Sequence, residues 1–213
     1  MIKSLIKFSK NKPLTFTLTS CTAIGFTGDL ICQKLEHKLF NADKKSKWTI
    51  NWDRTSSLTI SSTILTFPLY YWYNFLDSKF PGKSLRMVSK KALIDYFIAC
   101  APYFCLFYLS LEVYNYFFID PEIPENQRDL KTSFTNWKTI CQEKLPALMI
   151  VDFFLWIPFQ FANFRFIPSR HRVVGTKVAE LFFMILLSFI SFNNIDYEGM
   201  ANRMLGKEEK VEM

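Results

Sequence analysis

The sequence predicts an all-α integral membrane bundle of four to five transmembrane helices. Three observations carry that prediction. Half of the 213 residues are hydrophobic, and they are gathered into long runs separated by short polar segments. The aromatic load is heavy, with 23 Phe, 9 Tyr and 5 Trp, which suits helices facing lipid and headgroups better than a soluble core. Lys and Arg are kept to the ends of the apolar runs and to the segments between them. The whole chain, 1–213, reads as a single membrane domain.

A spanning helix needs about 20 mostly apolar residues. Five segments qualify, at about 14–35, 56–76, 92–119, 145–166 and 178–192. The first is rich in Thr and the least hydrophobic, so a re-entrant or interfacial helix is its alternative and the count stays at four to five. The third is long enough to tilt. Pro68, Pro102 and Pro158 fall inside spans; each removes a backbone donor and kinks its helix, which neighbouring helices tolerate. The piece 130–144 places Phe134, Trp137, Ile140 and Cys141 near helical spacing. It reads as an interfacial helix ahead of Pro146. The polar tail, 193–213, is expected to fray unless something holds it.

Charge orders these spans in the bilayer. The N-terminal segment carries Lys3, Lys7, Lys10 and Lys12, the segment 79–91 carries Lys79, Lys83, Arg86, Lys90 and Lys91, and the segment 165–177 carries Arg165, Arg170, Arg172 and Lys177; none of the three contains an acid. Five crossings put all three on one side. The first loop, the segment 120–144 and the tail, which contain acids as well as bases, fall on the other. Raw counts of Lys and Arg tie, but the acid-free segments are shorter and denser in positive charge. The positive-inside rule therefore places them, with the N-terminus, on the cytosol-like or matrix side. The acid-poor amphipathic start is equally compatible with organellar targeting.

The net charge of +7 is spread over several loops rather than gathered on one face, which argues against a nucleic-acid partner. The five cysteines, Cys21, Cys32, Cys100, Cys105 and Cys141, contain no C-x-x-C pair, and in apolar segments Cys is usually a small hydrophobe. The two histidines, His37 and His171, sit in polar segments. No metal site, cofactor or enzymatic activity is expected, because there is no Gly-rich phosphate loop and no nucleophile–base pair.

The polar content of the spans is acidic: Asp29, Asp95, Glu112, Asp152 and Glu180. An ionised carboxylate near the bilayer centre costs on the order of a few kcal/mol, so each must face another helix or a wet cavity. The topology sorts them into two layers, with Asp29, Glu112 and Asp152 nearer the acid-rich side and Asp95 and Glu180 nearer the basic side. One reading is a polar cleft or cation-tolerant pore. The blander and favoured one is that each carboxylate is capped or paired, Asp95 and Glu180 lying close to Lys91 and Lys177. Asp152, flanked by Ile150, Val151, Phe153 and Phe154, is the best functional candidate. Cys21, Gly25 and Gly28 form a small-residue face for close helix packing. Trp48, Trp52 and the run Tyr70, Tyr71, Trp72 and Tyr73 read as an interfacial aromatic belt, with a stacking site as the alternative.

These residues also carry a resemblance. Pro13, Thr15, Gly28-Asp29 and Gln33, then Asp53-Arg54-Thr55, Trp72-Tyr73, Leu76-Asp77, Lys91, Asp95 and Ala101-Pro102 follow in an order similar to that of the Mpv–PMP family. These are small peroxisomal membrane proteins with a mitochondrial inner-membrane branch. Trp156, Gln160, Asn163-Phe164, Pro168, Arg172 and Leu187-Ser188 complete the resemblance, which covers most of the chain. It adds Gln160 and Asn163 to the candidate cleft. The chain departs from the family pattern at Tyr70, where a His is usual, at Tyr96, where a Gln is usual, and at Asp152-Phe153, where an Asn-Trp pair is usual. Pro68 and Pro158 are each displaced by one position. The family is usually drawn with four spans, and the resemblance implies that some of its members form weakly selective channels.

The resemblance implies an organellar membrane protein, in the mitochondrial inner membrane or alternatively the peroxisomal membrane. The expected partners are the lipid bilayer and other membrane-protein subunits. The departures favour a structural accessory subunit of a larger, respiratory-type complex; a weakly selective channel or small-solute transporter is the alternative.

Overall fold

The computed structural model describes residues 2–40, 48–119, 130–143 and 145–192, and every regular element among them is helical. The helices are α1 (Ile2–Asn11), α2 (Pro13–Phe40), α3 (Trp52–Lys79), α4 (Leu85–Ile94), α5 (Ala101–Tyr114), α6 (Leu130–Glu143), α7 (Leu145–Phe166) and α8 (Arg172–Phe192). A π-helical stretch, Asp95–Cys100, joins α4 to α5, and a second, Asn115–Ile119, extends α5. The predicted tail at 193–213 lies outside the described residues, as do residues 41–47 and 120–129.

Each predicted span lies inside a helical run, but the runs overreach the apolar stretches. The runs Pro13–Lys38 and Leu85–Phe118 are long and apolar enough to cross a membrane. The pair Leu130–Glu143 and Leu148–Phe166, bent by 67°, makes a third if it is one broken span. At 28 residues α3 is as long as α2, but Ser, Thr and Tyr dilute its hydropathy. Its hydroxyls return to their own helix: Ser56 donates to the Trp52 carbonyl at 2.8 Å, Thr63 to Thr59 at 2.7 Å and Thr66 to Ser62 at 2.9 Å. That back-bonding lets a hydroxyl-rich helix sit among apolar neighbours.

Local chemistry sets the boundaries. The Asn51 side chain accepts from the Arg54 N–H at 2.9 Å and caps α3. Ser84 caps α4. Between α3 and α4 the chain reverses at Gly82, whose φ of 99° favours a residue without Cβ. Pro102 has no N–H for the carbonyl four residues back, and the helix widens to the π form immediately before it. The expected helix near 130–144 forms as α6, but it leans on α5 rather than standing apart. The Trp137 indole donates to the Cys105 carbonyl at 2.7 Å.

The bundle has two chemically distinct ends. At one, Phe16 meets His171 edge-on, Arg165 donates to the Lys83 carbonyl, and Asp77 pairs with Lys91 and Arg172. At the other, Arg54 pairs with Glu36 and Tyr114 donates to Ser56. The acid-free segments flanking α2, α3 and α7 thus gather at one end, as an alternating up-and-down path requires.

Burial runs opposite to that of a water-soluble domain. Phe97, Phe154 and Phe182 are 68, 63 and 65% exposed, whereas Lys91 and Lys177 are 1 and 3% exposed. Large apolar side chains cover the outside while charges are enclosed, the pattern of a helix bundle bathed in lipid. The enclosed core joins Cys21, Leu69, Tyr73, Leu76, Val88, Ala92, Phe164 and Val173. Among the small residues, Gly25 faces Ser62 of α3 and Gly28 faces Leu181 of α8.

Candidate functional site

Three polar clusters run through the bundle. The first closes the basic end. Lys91 donates to Asp77 at 3.0 Å, and Arg172 pairs with the same carboxylate. Both cations lie over the Phe164 ring, at 5.3 and 5.1 Å from its centroid, and Arg172 also donates to the Phe164 carbonyl at 3.2 Å. Asp77 lies just beyond the third helix's apolar stretch. Burial pushes its carboxyl up, but hydrogen bonds from Arg172 and Lys91 outweigh that and hold it below its usual value.

The second cluster lies deeper. Gln160 of α7 donates to Tyr73 Oη at 2.6 Å and to Asp95 Oδ2 at 2.8 Å. The other Asp95 oxygen accepts from the Trp72 indole at 2.7 Å. Asn163 donates to Gln160 Oε1 at 2.9 Å and to Thr176 Oγ1 at 3.2 Å. Gln160 and Asn163 are fully buried, so this network ties α3, α7, α8 and the π-helical stretch together where no water competes.

The third cluster closes the opposite end. Asp29 Oδ2 accepts from Gln33 at 2.7 Å and from Thr55 at 2.6 Å, while Oδ1 faces Arg54 Nε at 3.0 Å, a charge contact off hydrogen-bond geometry. Arg54 also grips Glu36 through two bonds, of 2.6 and 3.0 Å. Gln33 completes the tie by accepting from the Asn51 N–H at 2.8 Å.

Between these closures lies a cavity of about 420 Å³. Four of the five predicted acids line it: Asp29, Asp95, Asp152 and Glu180. Lys177 is on the wall as well, donating to Glu180 at 2.7 Å and to Tyr103 Oη at 2.7 Å. Asp152 accepts from the Cys100 thiol at 3.1 Å. Glu112 does not line the cavity, and Gln160 and Asn163 stand behind its wall, holding Tyr73, Asp95 and Thr176 in place.

Several expectations change. Glu180 pairs with Lys177 as the blander reading held, but Asp95 does not meet Lys91: Lys91 turns to Asp77, and Asp95 takes neutral N–H donors instead. Trp72 and Tyr73 are not belt residues. On a 3.6-residue period Tyr73 shares the inward face of α3 with Leu69 and Leu76, while Tyr71 points outward at 60% exposure. Lys177 lies inside because α8 begins at Arg172, six residues before the apolar stretch does. Tyr103 and Thr176 carried no signal in the sequence. Gln33, Arg54, Thr55 and Asp77 did carry one, as positions of the resemblance with no role assigned, while Trp72 and Tyr73 carried one but were assigned to the belt.

Fold and site together define a class, a multi-span α-helical membrane protein enclosing a carboxylate-lined cavity. Residues 131–188 match the family model described as the Mpv17 / PMP22 family. The PXMP2/4 family protein 2 of Dictyostelium discoideum is 28% identical over 184 residues, 86% of each chain. The Mitochondrial inner membrane protein Mpv17 of Danio rerio is 25% identical over 174 residues, 81% of this chain and 85% of that one. The Mpv17-like protein of Xenopus laevis is 23% identical over 205 residues, 96% of this chain and 88% of that one. No solved structure matches the chain. The chain is thus similar to the Mpv17 / PMP22 family over residues 131–188 and to these relatives over most of its length.

Proposed function

We propose that this chain is a non-enzymatic protein of an organellar membrane whose central cavity is a weakly selective pathway for small solutes, with a preference for positive charge. The name of the Danio rerio relative supports the mitochondrial inner membrane as its location, with the peroxisomal membrane as the alternative. One observation carries the reading: four carboxylates and one ammonium group line a single cavity inside a bundle whose outer surface is apolar. Ionisable groups enclosed in a membrane protein pair with one another or line a polar path, and Asp152 on this wall has no cationic partner among the described residues.

The competing expectation, an accessory subunit of a larger complex, took the departures from the family pattern as lost polar groups. Two of those positions remain polar and engaged. Tyr96 donates to the Met149 carbonyl, and Asp152 accepts from Cys100 and faces the cavity. The subunit reading thereby loses part of its ground, and migration of the extracted protein as a free small species would remove more.

The test is reconstitution of the purified chain in a planar bilayer under a salt gradient. The expected result is stepwise conductance with a reversal potential on the cation side, shifted toward zero by Asp152→Asn. Silence at every voltage contradicts the proposal.

A further inference from the structure

We propose that the cavity takes an organic monocation with an apolar body, its positive charge seated against Asp152. The inference rests on the cavity being a solute space and adds the chemistry of the solute.

The charges on the wall are unevenly satisfied. Asp29 is met by Arg54 at 3.0 Å, and Glu180 by Lys177 at 2.7 Å. Both oxygens of Asp95 are occupied by N–H donors. Asp152 is left with a thiol at 3.1 Å and no cation among the described residues. A thiol is a weak donor, so one carboxylate on the wall lacks a strong partner, and a single positive charge completes the set.

The remaining surface decides which cation fits. Aromatic rings of Tyr103, Phe104, Phe107 and Trp156 form part of the wall, and aliphatic side chains such as Leu148 and Leu155 fill the gaps between polar groups. Aromatic faces attract a dehydrated ammonium ion. Aliphatic walls replace little of the water shell of a small inorganic cation, which passes hydrated and binds weakly, but they bury hydrocarbon favourably. The volume, about 420 Å³, falls within the range of small-molecule sites. An amine carrying a ring or short alkyl body uses both features at once, whereas an anion meets an Asp152 carboxylate that no cation offsets.

The test uses the purified full-length protein in detergent and three probes with the same body: phenethylammonium, neutral 2-phenylethanol and anionic 3-phenylpropionate. Isothermal titration should show the amine binding at least about tenfold tighter than the alcohol, with no uptake of the acid. Asp152→Asn should bring the amine down to the level of the alcohol, and Asp152→Glu should restore its preference. Thermal unfolding of each variant in the same detergent confirms that it is folded. Equal binding of amine and alcohol, an undiminished preference in folded Asp152→Asn, full displacement of the amine by equimolar potassium, or no amine binding at all would each overturn the proposal. Conductance without amine binding removes this ligand class and leaves the pathway. Amine binding without conductance supports the site and removes the pathway.

Discussion

Asp77 shows how one carboxylate holds the basic end closed. Two nearly fully buried cations, Lys91 and Arg172, converge on it. Because folding lowers its pKa, the stabilisation is complete above the unfolded value of about 4 and fades as pH falls toward the depressed folded value. The unfolding midpoint in detergent should therefore drop as pH goes below about 4, and Asp77→Asn should remove that part of the drop. At neutral pH the substitution should cost about 3–5 kcal/mol, since it leaves two buried cations without their counter-charge. An Asn variant as stable as the parent at pH 7 contradicts this account. In the sequence, the cost of enclosing an acid was enough to mark Asp29, Asp95, Asp152 and Glu180, which line one cavity. It could not mark Tyr103 or Thr176, whose residue types are as common on lipid-facing and packing surfaces as in a polar network. Nor could it pair Lys91 with Asp77 rather than Asp95, because both carboxylates lie within reach along the chain and only tertiary geometry chooses between them.

At the scale of the element, hydropathy marked a helix over each apolar run but not α1 or most of α4, and it misjudged where two of the marked helices matter most. The apolar stretch of α8 starts at 178, yet the helix starts at Arg172, since a charged first turn survives inside a protein when its charges are paired. Lys177 thus moves from an expected connecting segment to the cavity wall. In α3 the aromatic run at 70–73 straddles two faces, and a count of residues cannot assign them without the helix phase. Close approach of α2 to its neighbours gives a test. A Cβ on Gly28 would stand 2.9 Å from Leu181 Cδ1, the tip of a flexible side chain. Gly28→Ala should be nearly neutral, since removing Gly from a helix returns about 1 kcal/mol against a small shift of Leu181. Gly28→Leu should overpack the α2–α8 contact and cost about 1–3 kcal/mol. Detergent unfolding curves compare the two, and a Leu variant matching the parent would show that the helices do not meet there.

For the whole molecule, the central claim is an inversion: apolar side chains face lipid, and carboxylates face an internal cavity that the proposed pathway opens to water. The alternation of acid-free and acid-containing segments made the two ends legible from charge alone. The cavity was not legible, because it is a property of how five helical runs fit together and not of any one of them. Neighbouring positions on α7 make the claim measurable. Asp152 is on the cavity wall, and Phe154, two residues on, is 63% exposed on the outer surface. With the native cysteines replaced, Asp152→Cys and Phe154→Cys variants in sealed proteoliposomes can be treated with a water-soluble cationic methanethiosulfonate reagent. The account predicts rapid modification at position 152 and protection at position 154. Equal reactivity at both, or faster reaction at 154, would mean that the outer face of the bundle is in water, and the membrane reading would fall with it.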